Sequence, residues 1–218
     1  RLLQSAVENP DQSPWSLSLL SRAEERQLLV EWNDTSREPH TATTMHGPVE
    51  AQVARTPDAV AITDGQRSLT YAALDQRANQ LAHHLVQHGV TPGSAVGICV
   101  DKSLDTAVAV LATLKVGAYY VALDPTYPAD RLAFMLEDTR APVVLTQSHL
   151  GGSLPSKSLA RRISLDTEAV LIARQPTTDL ALDVSPEANA YVIYTSGTTG
   201  IPKGIVMPHR ALSYMLAW

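Results

Sequence analysis

The ten residues Thr195 to Gly204 carry four hydroxyls, three glycines and one lysine. That composition suits a phosphate. Gly197, Gly200 and Gly204 remove side chains, so backbone N–H groups can approach an anion closely. Thr195, Ser196, Thr198 and Thr199 add hydroxyl donors, and Lys203 adds a point charge of the kind that binds phosphate. Pro202 stiffens the approach to Lys203. A solvated Ser/Thr/Gly connector between two strands could share this composition. The order separates the two, because a connector has no need of four hydroxyls followed by Pro-Lys-Gly. The P-loop of nucleotide hydrolases is excluded by counting. From Gly197 its second glycine would fall on Pro202, and the Ser or Thr that binds Mg²⁺ would fall on Gly204.

Other chemistry-bearing residues invite blander roles. Lys115 reads as a helix-end lysine that complements the helix dipole before Gly117. His83, His84 and His88 share one helix, and His84 and His88 are spaced i, i+4. No carboxylate or cysteine pattern joins them, so they read as a solvated face and no metal site is expected. His209 opens the segment after the loop and reads as a structural residue at a helix start or a ligand contact. Cys99 sits in an apolar run as an inert core thiol, and Asp124, before Pro125, reads as a loop residue.

The elements that would hold the loop follow from periodicity. Ser21-Arg22-Ala23-Glu24 is a capping box opening a helix to about Asn33, and Val49 to Arg55 is a second short helix. Asp64-Gly65 between two β-prone runs predicts a hairpin with both residues at positive φ. Thr70 caps a helix whose Leu74, Ala78, Leu81, Ala82 and Leu85 share one face and which stops at Gly89. Strands are expected at 95–100, 119–122, 142–145, 163–165, 190–194 and 205–207. Helices are expected at 104–116 and 129–138, and one begins near Pro208. Leu104, Val108, Leu111 and Lys115 mark one face of the first. Residues 147–158 and 173–189 read as exposed loops. Strands separated by helices imply βαβ units and a mostly parallel sheet, an α/β fold.

Composition bounds the rest. The 218 residues carry a formal charge of −5, with no basic stripe, which argues against nucleic-acid binding. No apolar run approaches the ~20 residues of a membrane span. A single cysteine excludes an internal disulfide framework, and the expected setting is cytoplasmic. The chain starts without Met and ends at Trp218 inside an apolar helical pattern with no C-cap, so a piece of a longer protein is expected.

The run Tyr194-Thr195-Ser196-Gly197-Thr198-Thr199-Gly200-Ile201-Pro202-Lys203-Gly204 resembles the signature loop of the adenylate-forming superfamily. That group includes acyl-CoA synthetases, firefly-type luciferases and the adenylation domains of nonribosomal peptide synthetases. Leu69-Thr70-Tyr71-Ala72-Ala73-Leu74 and the stretch Leu114 to Pro125 are similar to the first two core motifs of adenylation domains. Tyr127-Pro128-Ala129-Asp130-Arg131-Leu132 resembles the peptide synthetase branch more than the acyl-CoA branch. Trp32-Asn33-Asp34-Thr35 resembles the linker after a condensation domain.

The resemblance implies residues 1–44 as that linker and 45–218 as the N-terminal part of the adenylation domain's large domain. It implies ATP as cosubstrate, held at its β- and γ-phosphates by Thr195, Ser196, Gly197, Thr198, Thr199, Gly200, Lys203 and Gly204. Lys203 takes the electrostatic catalytic role. Mg²⁺ is implied too, with ligands mostly outside these residues, as are the ribose aspartate and the amino-acid pocket. The implied partners are an amino acid, a peptidyl carrier protein and an upstream condensation domain. The 218 residues alone are therefore expected to be inactive. The alternatives are a fragment of an acyl- or aryl-CoA ligase and a non-catalytic interaction fragment.

Overall fold

A computed structural model describes residues 2–17, 19–34, 44–65, 67–156, 159–195 and 202–211. The chain divides into two units, Arg1–His40 and Thr41–Trp218.

The first unit holds α1 (Leu2–Glu8), a single turn at Pro14–Ser16 and α2 (Arg22–Arg26). The Ser21 hydroxyl accepts the Glu24 N–H at 3.2 Å, and the Glu24 carboxylate accepts the Ser21 N–H at 2.8 Å, so the capping box forms as expected. The helix then widens: Gln27–Glu31 is a π-helical turn, closed by the Trp32 N–H on the Gln27 carbonyl at 2.9 Å. No residue of these helices is buried, and Trp15 is 97% exposed.

The second unit opens with α3 (Gly47–Arg55), started by Pro48, whose missing N–H costs nothing in a first turn. β1 (Val60–Asp64) and β2 (Arg67–Thr70) pair antiparallel, with Asp64 opposite Arg67. The hairpin stands where expected, but the turn is displaced by one residue. Gly65 alone of the pair takes positive φ, at 59°, whereas Asp64 stays in the strand and pairs its carboxylate with Arg67 at 2.7 Å. The Thr70 hydroxyl accepts the Ala73 N–H and caps α4 (Tyr71–Gln87), a bond worth about 1 kcal/mol. Leu74, Ala78, Leu81, Ala82 and Leu85 are all buried, and Gly89 takes the left-handed φ of a C-terminal stop.

A βαβ series follows: β3 (Ala95–Cys99), α5 (Leu104–Lys115), β4 (Tyr119–Ala122), α6 (Ala129–Asp138) and β5 (Val143–Thr146). Then come β6 (Arg161–Ser164), α7 (Ala169–Ala173), β7 (Asn189–Thr195) and β8 (Lys203–Pro208). The six strands β3 to β8 form one sheet in the order β6-β5-β3-β4-β7-β8. Every pairing is parallel except β7 with β8. This is the α/β, mostly parallel sheet that the alternation of strands and helices predicts. β3, at its centre, is buried on both faces, as its unbroken apolar run requires. Val96 and Ile98 join a core with α4 and α5, while Ala95 and Cys99 face a second core with α6. Gly97 lets α6 close down. A Cβ there would stand 2.9 Å from Leu136 and 3.0 Å from Leu123, closer than carbon atoms tolerate.

α7 stands where periodicity predicts no helix. Segment 173–189 is the largely exposed loop expected, but it is fastened down as a strap. Asn79 donates to the Thr177 carbonyl at 2.8 Å and Gln80 to the Ala173 carbonyl at 2.7 Å, fastening the strap to α4. Lys115 departs from expectation. Its side chain is 1% exposed and lies 2.8 Å from Glu50, 3.1 Å from Asp75 and 2.8 Å from Asp179. A solvated dipole partner is replaced by a buried ammonium that ties α3, α4 and the strap to α5. Burial pulls its pKa down, but the hydrogen bonds it donates to the three carboxylates raise it overall and hold the charge.

Candidate functional site

β7 alternates cleanly: Ala190, Val192 and Tyr194 point into the core, while Ile193 and Thr195 point out. β8 pairs with it so that Thr195 lies opposite Lys203 and Tyr194 opposite Gly204. Cross-strand partners share a face, so the Thr195 hydroxyl and the Lys203 ammonium project together from the base of the loop. Both residues are exposed. No carboxylate of the described residues lies within ion-pair distance of Lys203. Ser196, Gly197, Thr198, Thr199 and Gly200 lie outside the described residues.

Gly204 has a role that composition did not suggest. A Cβ there would stand 3.1 Å from the Tyr194 ring and 3.1 Å from Val192. Its bareness serves the packing of the loop base. Tyr194 in turn is pinned: its hydroxyl donates to Asp138 of α6 at 2.5 Å, and its ring meets the Phe134 edge. Burial, then the Asp138 carboxylate, push the phenol pKa up, so Tyr194 stays a neutral donor. The loop therefore springs from a strand end anchored to the α6 layer.

Beside that anchor, a cavity of about 540 Å³ opens at the carboxyl ends of β3, β4 and β7. Asp101, Lys102, Asp124, Tyr127, Ile193 and Tyr194 line it. Ligands of open α/β sheets gather at this end of the strands. Asp124 accepts from the Thr126 hydroxyl at 2.7 Å and the Thr126 N–H at 2.9 Å, which hold its pKa below the usual carboxylate value. Asp101 pairs with His149 at 2.7 Å. Cys99 is buried, and burial raises its thiol to about 11, so it is inert as expected. Asp101 and Lys102 carry no motif of their own; their one signal in the sequence is their place directly after a strand.

His209 is fully buried. Its Nδ1 accepts the Met45 N–H at 3.0 Å, and its ring meets His46 edge-on at 5.6 Å. Burial lowers both imidazoles to about 4, so both are neutral near pH 7. The solvated histidine face expected on α4 is also corrected. His84 is buried, with Nε2 3.2 Å from the Glu168 carboxylate, and only His83 and His88 reach solvent in part. Glu168 is 84 residues away in sequence, which is why no carboxylate pattern is visible locally.

Comparison with known proteins gives three results. A family model described as AMP-binding enzyme matches residues 49–218. A linear gramicidin synthase of Brevibacillus parabrevis is 45% identical over 97% of the chain, and chondramide synthase of Chondromyces crocatus is 44% identical over 96%. The chain spans 3% and 5% of their respective lengths. Among solved structures, the nonribosomal peptide synthetase FmoA3 in its AMPPNP-bound form superposes with a TM-score of 0.80 at 31% identity. That match covers 99% of this chain and 23% of FmoA3.

Proposed function

The chain belongs to the AMP-binding enzyme family, and from that membership we propose that it is the N-terminal part of a nonribosomal peptide synthetase adenylation domain. In that reading the whole enzyme joins an amino-acid carboxylate to the α-phosphate of ATP. The new bond is C–O–P, the α–β phosphoanhydride bond breaks, and pyrophosphate leaves. The acyl group then passes to the thiol of a peptidyl carrier protein, with AMP as the leaving group. Residues 1–44 are the linker from an upstream condensation domain; their short helices and exposed Trp15 suit a segment that packs on neighbouring domains. Among the described residues no helix is long and apolar enough to cross a membrane, and a cytoplasmic setting is proposed.

One observation carries the assignment of the site: Thr195 and Lys203 face each other at the loop base, at the carboxyl end of β7, and no described carboxylate pairs with the lysine. A cation left to solvent at a hydroxyl-rich strand end suits the β- and γ-phosphates. Charge builds on the pyrophosphate as it departs, and a fixed ammonium stabilises that charge more than it stabilises bound ATP. Mg²⁺ is proposed to accompany the phosphates, with its protein ligands mostly outside these residues.

The test is Lys203→Ala in the synthetase that carries this chain. Amino-acid-dependent pyrophosphate exchange should fall about 10²–10³-fold, the loss typical of removing one charge-stabilising donor. The melting temperature should hold, since Lys203 is exposed. Unchanged exchange would reduce Lys203 to a solvated loop charge.

A further inference from the structure

We propose that His84, His88 and Glu168 bind a divalent transition-metal ion of the zinc class, at a site separate from the phosphate loop. One donor atom from each of the three residues lies within 4.8 Å of the other two. His84 lies in the last turn of α4 and His88 caps its end, and their ring centroids are 4.3 Å apart. The carboxylate arrives from the turn before α7. It is already oriented: Oε1 accepts the Ser164 N–H at 3.0 Å, and Oε2 lies 3.2 Å from His84 Nε2.

Unspent valence supports the site. A neutral imidazole has one donor and one acceptor nitrogen, and burial requires both to be used. The His84 side chain is 4% exposed, yet its Nδ1 has no hydrogen-bond partner. His88 Nδ1 is likewise buried and without a partner. A simple His84–Glu168 hydrogen bond accounts for Glu168 and one nitrogen. It leaves unexplained a second imidazole tilted against the first at 40°, its Nδ1 without a partner.

The donor set selects the ligand. Two imidazoles and one carboxylate suit zinc, nickel, cobalt or copper rather than magnesium or calcium, which favour oxygen alone. Three protein donors leave a fourth position for water. Tetrahedral coordination at zinc bond lengths needs donors roughly 3.3 Å apart, so the widest donor separation must close by up to about 1.5 Å. Arg161, on β6, is near enough to act on His88 and opposes a cation. It is exposed and can swing outward. The bound ion would rivet the β6–α7 turn to α4.

The full chain, stripped of metal, is titrated with Co²⁺ for its visible ligand-field bands and with Zn²⁺ by calorimetry. One equivalent should bind, with bands of four- or five-coordinate cobalt. His88→Ala and Glu168→Gln should each weaken Zn²⁺ by more than about tenfold. His83→Ala, which removes the neighbouring imidazole outside the cluster, should leave affinity within about twofold. His88→Gln keeps the side-chain bulk and serves if His88→Ala fails to unfold cooperatively. Absence of a cobalt band in the unaltered chain overturns the proposal. So does Zn²⁺ affinity unchanged by the ligand substitutions, or lost equally in His83→Ala.

Discussion

Two buried histidines set how this fold responds to acid. His46 and His209 are neutral in the folded chain, each with its pKa lowered from 6.5 to about 4. In the unfolded chain both regain the higher value. Between pH 6.5 and 4 the unfolded state therefore binds more protons, and stability falls as the pH drops through that window. The loss reaches at most about 3 kcal/mol per ring by pH 4. Urea midpoints recorded from pH 7.5 down to 4.5 should show the decline. His209→Asn keeps an acceptor for the Met45 N–H but cannot titrate, so it should flatten the curve. An equal slope in both proteins would place the acid response elsewhere. At this scale the sequence is only partly legible. Lys203 and the hydroxyls suit, by type and order, the proposed phosphate loop. The reason for Gly204 stays hidden, because the Tyr194 ring it accommodates is set by strand register across the hairpin.

Helices and strands are the most legible layer, and Lys115 shows where that legibility stops. The apolar stripe of α5 runs Leu104, Val108, Leu111, and the next position on it is Lys115. A lysine on a buried stripe demands carboxylates. They come from 65 and 64 residues away, at Glu50 and Asp179, and from Asp75, so no local pattern could reveal them. α7 is hidden for a different reason. Its five residues, Ala-Val-Leu-Ile-Ala, are too short to separate helix from strand by period. Lys115→Met should leave Glu50, Asp75 and Asp179 facing one another without a cation. Equilibrium unfolding should show a loss of about 3–5 kcal/mol, the usual result of removing one partner from a buried pair. Asp179→Asn should cost less, because that side chain is half exposed and two carboxylates remain. A loss under about 1 kcal/mol for Lys115→Met would mean that the strap and α3 relax without penalty.

Among the described residues, the sheet has a well-covered centre and a bare side at β8. Ile193, Ile205 and Val206 are each about half exposed, on or beside a strand paired along one edge among the described residues. An apolar strand with a free edge is a template for another copy. The 218-residue chain, expressed alone, should self-associate with rising concentration, and Ile205→Lys should shift light scattering toward the monomer. A monodisperse monomer at about 100 µM would contradict this.

Strand order also bears on how the chain folds as it is made. β3 pairs with β4 and β5, so the central sheet can close once Thr146 has emerged. The far side of β4 waits for β7, roughly 65 residues later, or about 3–13 s at ordinary rates of synthesis. During that interval Tyr119 to Ala122 present an unpaired backbone edge on the nascent chain. The strand that ends it is the one that carries Thr195, so the base of the proposed phosphate loop is fixed only after that long wait.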